Sequence, residues 1–377
     1  RTTIKDRKEA ISQALYDAEK RADIIITTGG LGPTKDDITK KTIAEYLEEE
    51  LVMNQAVLTH VEAFFAKRKK PMLDVNKLQA LVPKSAKVLH NQMGTAPGTF
   101  IEKNKKVYVS MPGVPYEMRY IVTNGLIPEL KKRLDNLQIV HRYIHVIGVG
   151  ESSIAKQIEN VENDLPEHIK LAYLPSPGIV KLRFTGTGTN EQLIHNQIDE
   201  FESQINQILG DTIFGYGNET ISSAIGKLLI ERNETIGTAE SCTSGNIGQM
   251  LTQTPGSSAY YQGSFTTYSY LLKEQLLGVN KTTLQKHGAV SEETIIEMVK
   301  GGLQKLGSSY VVATSGIAGP GGGMPNKPVG TVWVGVGNKH KVIAKKFQFG
   351  GDRTRNIHLS SIMALETLRR FILDLKI

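Results

Sequence analysis

The chain has 377 residues, enough for two or three compact domains, and its 40% hydrophobic and 22% charged content is that of a water-soluble globular protein. No apolar run approaches the roughly 18 residues a membrane helix needs, and a single cysteine excludes an internal disulfide or a thiolate zinc cluster, so with no signal-like start the expectation is a cytoplasmic protein with no membrane partner. The net charge of +7 raises nucleic acid as a partner, but the basic runs at 67–70 and 103–106 lack interleaved aromatics and any helix-turn-helix or RNA-binding signature, and they read as solvated faces.

Residues 7–21 place Ala10, Ile11, Ala14, Leu15 and Ala18 on one face of a helix. "ADIIITTGG" then reads as a strand ending in glycines, and "LGPTKDDITKKTIAEYL" starts a second helix, the rhythm of a parallel α/β sheet. "KVYVSMPGVPYEM" repeats it, with a strand to Ser110 and a helix from about Pro115. From Arg142 two strand and helix pairs in about 70 residues suggest a small α+β insert, followed by a glycine-rich linker at 210–220. A second α/β unit then opens with a helix over 221–232, "TIGTAE" as a strand and "SGNIGQML" as a helix. "YVVATSG" and "VGTVWVGV" add strands, and 355–377 reads as a closing helix.

The chemistry sits where these elements change. Ser241, Cys242, Thr243 and Ser244 follow a strand and precede a helix, where free N–H groups favour an anion or a developing oxyanion, though plain capping by Ser or Thr also fits. Cys242 at that place suits either a lowered-pKa thiolate or a small buried hydrophobe. In "GSFTTYSYLLKEQLLGV", Ser269 is placed to cap a helix and Gly278 to end it, with Lys273 one turn in. A desolvated Lys273 beside a serine would act as a base; a solvated one would do nothing.

The glycine-dense "ATSGIAGPGGGMPNKPVG" lets backbone approach a ligand but lacks the order of a P-loop, so ATP is not indicated. Ser315 suits ligand contact or turn initiation, and Arg353 and Arg355 suit an anion or a surface salt bridge. In "TTGGLGPTKDD", Thr34 and Asp37 have capping-box spacing, while Asp36 and Asp37 together offer hard oxygen ligands too few to name a metal. His287 has no partner histidine at ligand spacing and reads as structural.

Together these stretches resemble the CinA (competence/damage-inducible protein A) family across nearly the whole chain. "TTGGLGPTKDDITKKTIAEYL" and "MPGVPYEM" are similar to its N-terminal molybdopterin-binding-like domain. "TAESCTSG", "GSSAYYQGSFTTYS", "HGAVSEE", "SGIAGP", "KPVGTVWVGV" and "GDR" follow the order of its C-terminal nicotinamide mononucleotide (NMN) deamidase domain. The resemblance implies two three-layer α/β domains, residues 1–138 and 217–377, joined by a small KH-like α+β domain over 139–212. It implies hydrolysis of NMN to nicotinate mononucleotide and ammonia, with no cofactor for that step.

By the same resemblance Ser241 is the nucleophile, Lys273 the general base, and Tyr268, Ser315 and Arg353 supporting polar residues, Arg355 competing with Arg353. Thr243, Ser244, Gly316 and Gly319 are expected to contact substrate, and N–H groups at the following helix start to hold the oxyanion. For the N-terminal domain the resemblance implies a metal-dependent ADP-ribose pyrophosphatase, with a divalent ion at Asp36 and Asp37. The family opens with a strand and a glutamate-containing glycine turn ahead of the equivalent of Arg1, neither of which is in this sequence, so the resemblance leaves open whether that activity is intact, as it would be if those residues precede Arg1. The competing expectations are a pyrophosphatase alone and a non-catalytic adaptor in competence or DNA repair; a homodimer is the expected assembly.

Overall fold

The computed structural model describes residues 1–34, 36–133 and 137–377 and divides into two compact units, Arg1–Asp135 and Asn136–Ile377. The architecture is α/β throughout, with separate sheets rather than a barrel. No helix among the described residues is long and apolar enough to cross a membrane.

The first unit runs α1 (Lys8–Glu19), β1 (Ile24–Thr28), α2 (Thr39–Tyr46), β2 (Leu51–Met53), α3 (Gln55–Lys67), α4 (Asp74–Lys77), β3 (Leu81–Pro83), β4 (Lys87–Leu89), β5 (Gly98–Lys103), β6 (Lys106–Met111), α5 (Pro115–Ile121) and α6 (Ile127–Lys131). Ile11 and Leu15, one helical turn apart, bury with Ile25, Ile43 and Tyr108 on one face of the sheet. Phe100, Val109 and Ile121 fill the other face, which makes three layers. The strand order is β1-β6-β5-β4, and only β1–β6 is parallel. The expected all-parallel rhythm fails because β5 and β6 form a hairpin whose two central residues, Asn104 and Lys105, both take positive φ (51° and 64°).

The second unit opens with a small α+β domain of β7 (Gln138–Ile147), α7 (Glu151–Gln157), α8 (Glu159–Asn163), β8 (Ile169–Ser176), β9 (Ile179–Gly188), α9 (Glu191–Leu209) and β10 (Ile213–Tyr216). Its antiparallel sheet, ordered β10-β7-β9-β8, carries the helices on one face, where Ile194, Ile198 and Ile205 of α9 pack on Leu182 and Phe184. The stretch read as a linker supplies β10, paired with β7; its glycines mark a strand with an irregular register, which short apolar content could not reveal. β8 is a third long strand beyond the two strand and helix pairs that the sequence pattern predicts.

The remaining elements are α10 (Ile221–Arg232), β11 (Ile236–Glu240), α11 (Asn246–Thr252), β12 (Tyr261–Thr266), α12 (Tyr270–Leu277), α13 (Lys281–His287), α14 (Glu292–Leu306), β13 (Tyr310–Gly316), β14 (Thr331–Gly337), β15 (Val342–Gln348) and α15 (Arg353–Ile372). The sheet is ordered β12-β11-β13-β14-β15, the first three strands parallel and the last two antiparallel. Ile225, Leu229, Leu365 and Leu368 cover one face, and Ile295, Met298 and Val299 of α14 the other. β11 is buried along its whole length, as a strand covered on both faces must be. Because β11, β12 and β13 run the same way, the loops after them gather at one sheet edge, where open α/β sheets hold ligands.

Candidate active site

At that edge β11 ends in Glu240 and the chain turns through residues 241–245 into α11, with Ser244 at φ 51° and Gly245 at φ 93°. From β12 the chain passes through Thr267 to α12. Ser269 caps this helix by accepting the Leu272 N–H at 3.2 Å, and Gly278 ends it at φ 66°, as expected. One turn into α12, Lys273 is 1% exposed and Ser241 8% exposed. Lys273 Nζ donates to Ser241 Oγ at 2.9 Å and to the Thr267 carbonyl at 2.7 Å. Burial disfavours the ammonium and lowers its pKa from 10.5 to about 8.

A cavity of about 270 Å³ opens over this pair, lined by Tyr268, Ser315, Gly316, Gly319 and Arg353. Arg353 donates to the Gly319 carbonyl at 2.9 Å and to Tyr268 Oη at 3.2 Å. Ser315 Oγ donates to the Ala289 carbonyl at 2.7 Å. Arg355 instead lines a separate groove with Pro177, Gly178 and His358, so of the two arginines only Arg353 reaches the Ser241 cavity.

Three expectations are corrected here. Thr243 does not face the cavity: its hydroxyl lies inside, donating to Glu240 Oε2 at 2.7 Å and accepting from Thr314 Oγ1 at 2.7 Å. Ser244 is turned to the exposed side of the turn, its hydroxyl 3.4 Å from the Ser241 carbonyl, and it is absent from the cavity lining. The N–H groups at the start of α11 are already engaged: Glu240 accepts from Gly245 at 2.9 Å, Ile247 at 3.1 Å and Gly248 at 2.9 Å. The N–H groups of Cys242 and Thr243 find no acceptor among the described residues, and they lie directly after the serine.

Cys242 packs with Ile225 and Ile247, and burial pushes its thiol up to about 12, so it is a neutral packing group at neutral pH.

In the first unit, the Asp37 carboxylate accepts from both the N–H and the hydroxyl of Thr34, closing a turn two residues before α2 begins at Thr39. The pair therefore shapes the approach to the helix and does not cap it. A hydrogen bond from Thr34 holds the exposed Asp36 carboxyl below its usual range. No group of three or more His, Cys, Asp or Glu able to hold a metal ion occurs among the described residues. Of the two, the Asp37 carboxylate is closed on Thr34 and the Asp36 carboxylate is exposed. His287 pairs with Glu293 at 3.1 Å.

The sequence reading also passed over Glu240, fully buried, and Asn356 of α15, likewise fully buried, whose amide donates to the Ala318 and Gly351 carbonyls. The available signal for Glu240 was a charged residue closing an otherwise uncharged strand.

Three family models match successive parts of the chain: a probable molybdopterin binding domain over residues 1–132, the damage-inducible protein CinA KH domain over 141–215 and the CinA C-terminal domain over 218–372. A CinA-like protein of Cytophaga hutchinsonii is 42% identical over 376 residues, spanning 100% of this chain and 90% of that protein. A CinA-like protein of Flavobacterium psychrophilum is 43% identical, spanning 98% of this chain and 89% of that one. Among solved structures, the competence/damage inducible protein CihA of Agrobacterium tumefaciens is 36% identical and covers 39% of this chain and 90% of its own, with a TM-score of 0.39.

Proposed function

The chain belongs to the CinA family, and on that premise we propose that its C-terminal domain is an amidohydrolase that converts NMN to nicotinate mononucleotide and ammonia. The observation that carries this reading is the buried amine of Lys273 at 2.9 Å from the Ser241 hydroxyl. With its pKa lowered to about 8, a tenth or so of the amine is neutral at pH 7 and accepts the serine proton. Ser241 Oγ then forms a bond to the carboxamide carbon, and the carbonyl oxygen takes the negative charge. The Cys242 N–H, next to the serine on the cavity wall, is the donor that suits this oxyanion.

As the tetrahedral intermediate collapses, the Lys273 ammonium returns its proton to the departing nitrogen and ammonia leaves an acyl-serine. A water, deprotonated by the same amine, adds to the acyl carbon and releases the carboxylic acid, restoring the serine hydroxyl. Among the described residues Arg353 donates only to neutral acceptors, a carbonyl and a phenol. Its positive charge therefore stays uncompensated at the cavity wall, where it suits the ribose phosphate and discriminates against free nicotinamide.

The test is ammonia release from NMN by purified chain. Ser241→Ala should reduce kcat by on the order of 10⁴-fold or more, while Cys242→Ala retains most of it. Loss in the cysteine variant with retention in the serine variant would reverse the assignment.

A further inference from the structure

Beneath the serine lies a polar cluster that the proposed chemistry does not use. Glu240 is fully buried, and its side-chain partners among the described residues are all neutral donors. Its two oxygens are satisfied by four donors: the N–H groups of Gly245, Ile247 and Gly248, and the Thr243 hydroxyl. A buried carboxylate unpaired by a cation persists only when hydrogen bonds of this kind replace its water, and here they also neutralise the positive end of α11.

The backbone of the same residue reaches the other half of the site. The Glu240 carbonyl accepts the Thr267 N–H at 2.8 Å, and the Thr267 carbonyl in turn accepts from Lys273 Nζ at 2.7 Å. Ser241 N–H is pinned on the opposite side by the Thr314 carbonyl at 2.9 Å. One residue thus ties the turn that carries the alcohol to the segment that carries the amine. The packing leaves no slack: a Cβ on Gly248 would fall 2.4 Å from Tyr261 Oη and 3.6 Å from Glu240 Oε1.

We infer that Glu240 is a positioning residue: its carboxylate staples the turn of residues 241–245 so that Ser241 Oγ meets Lys273 Nζ and the Cys242 N–H stays free at the cavity wall. This rests on the amidohydrolase reading. Neither oxygen tolerates replacement by an amide NH₂, because each already faces at least one N–H. In Glu240→Gln one donor must therefore face another, and the turn shifts.

The test compares the full-length chain with its Glu240→Gln and Glu240→Asp variants. Three readouts are needed: NMN kinetics, the rate at which phenylmethanesulfonyl fluoride forms an adduct on Ser241, and amide hydrogen exchange over residues 241–250. For Glu240→Gln, kcat and adduct rate should both fall by about 100-fold, as a displacement near 1 Å at a nucleophile produces. KM should stay within about twofold, because the phosphate contacts lie on other elements. Exchange at 241–250 should quicken, and the acid limb of the pH profile should stay in place, since burial sets the Lys273 pKa and its bond to the Thr267 carbonyl is retained. Glu240→Asp keeps the charge but is one carbon too short to reach all four donors, and should lose less than Gln.

Wild-type kcat and adduct rate in Glu240→Gln would overturn the inference. So would a parallel shift of kcat, KM and melting temperature in both variants, which is what a merely structural residue gives. If the unsubstituted chain releases no ammonia from NMN, the amidohydrolase reading fails by itself. The staple is then decided by adduct rate and exchange alone: slowed labelling with faster exchange upholds it, and unchanged values overturn it.

Discussion

The burial of Lys273 makes a thermodynamic prediction that needs no substrate. Its pKa falls from 10.5 to about 8 because the folded site desolvates the ammonium, and at 1% exposure there is little solvent screening to discount. At about 1.4 kcal/mol per pH unit, that difference amounts to about 3 kcal/mol of destabilisation. Below pH 8 the folded and unfolded chains both hold the proton and the penalty is complete. Between about 8 and 10.5 the unfolded chain still holds a proton that the folded chain has released, so stability rises with pH; above 10.5 the penalty is gone. Lys273→Met removes the titration. The stability of the unsubstituted protein minus that of the variant should therefore climb by about 3 kcal/mol between pH 7 and 10.5, whatever the hydrogen bonds to Ser241 and Thr267 contribute as a constant. Tyrosines and other lysines titrate in both proteins and cancel. The chain's single tryptophan, Trp333 of β14, lies in the same domain, so urea unfolding followed by its fluorescence isolates that domain. A difference flat across this window would mean that Lys273 titrates as a solvated lysine, and the base assigned to Ser241 would be lost with it.

Turnover should carry the same signature. kcat/KM for NMN should rise with pH through about 8, following the neutral fraction of Lys273, and level off above it; a profile flat from 6 to 9 would contradict a lysine base. Arg353→Lys should raise KM for NMN by roughly 10- to 100-fold through loss of the forked contact, yet leave hydrolysis of the unphosphorylated riboside unchanged. Arg355→Ala, outside the cavity, should change KM for NMN less than Arg353→Lys does. Gly248→Ala forces a methyl into contact with Tyr261 Oη and should destabilise the C-terminal domain by about 1–3 kcal/mol, read by Trp333 fluorescence in urea.

How much of this could be read beforehand depends on the range of each interaction. The residue-level signals in α12 are local: a serine capping through its own hydroxyl and a glycine at positive φ, so helix start, helix end and the position of Lys273 could be placed from the sequence. Likewise, 221–232 and 236–240 fall where periodicity and the flanking residues put them. Pairing direction was not local. β5 and β6 turn antiparallel because of two non-glycine residues at positive φ, and β10 hides inside a glycine-rich stretch because its partner β7 lies some 70 residues earlier. That Ser241 and Lys273 meet depends on β11 and β12 being parallel neighbours, which brings two chain segments 32 residues apart to one edge. Only the resemblance to a family, not the spacing, supplied that pairing in advance.

The oxyanion donors show the same limit more sharply. A strand, a short turn and a helix start promise free N–H groups, and the sequence offered Thr243 and Ser244 as their neighbours. What decides the outcome is the residue just before them. Glu240, held in the last position of a wholly buried strand, cannot leave its carboxylate unpaired, and the nearest donors are the N–H groups of α11. Once those are claimed, Thr243 turns inward to complete the set, and among the described residues the Cys242 N–H, beside the serine on the cavity wall, is left without an acceptor. A helix N-terminus is thus an anion site only after its own acidic neighbours have been satisfied. In this fold the anion it serves is the built-in Glu240 carboxylate.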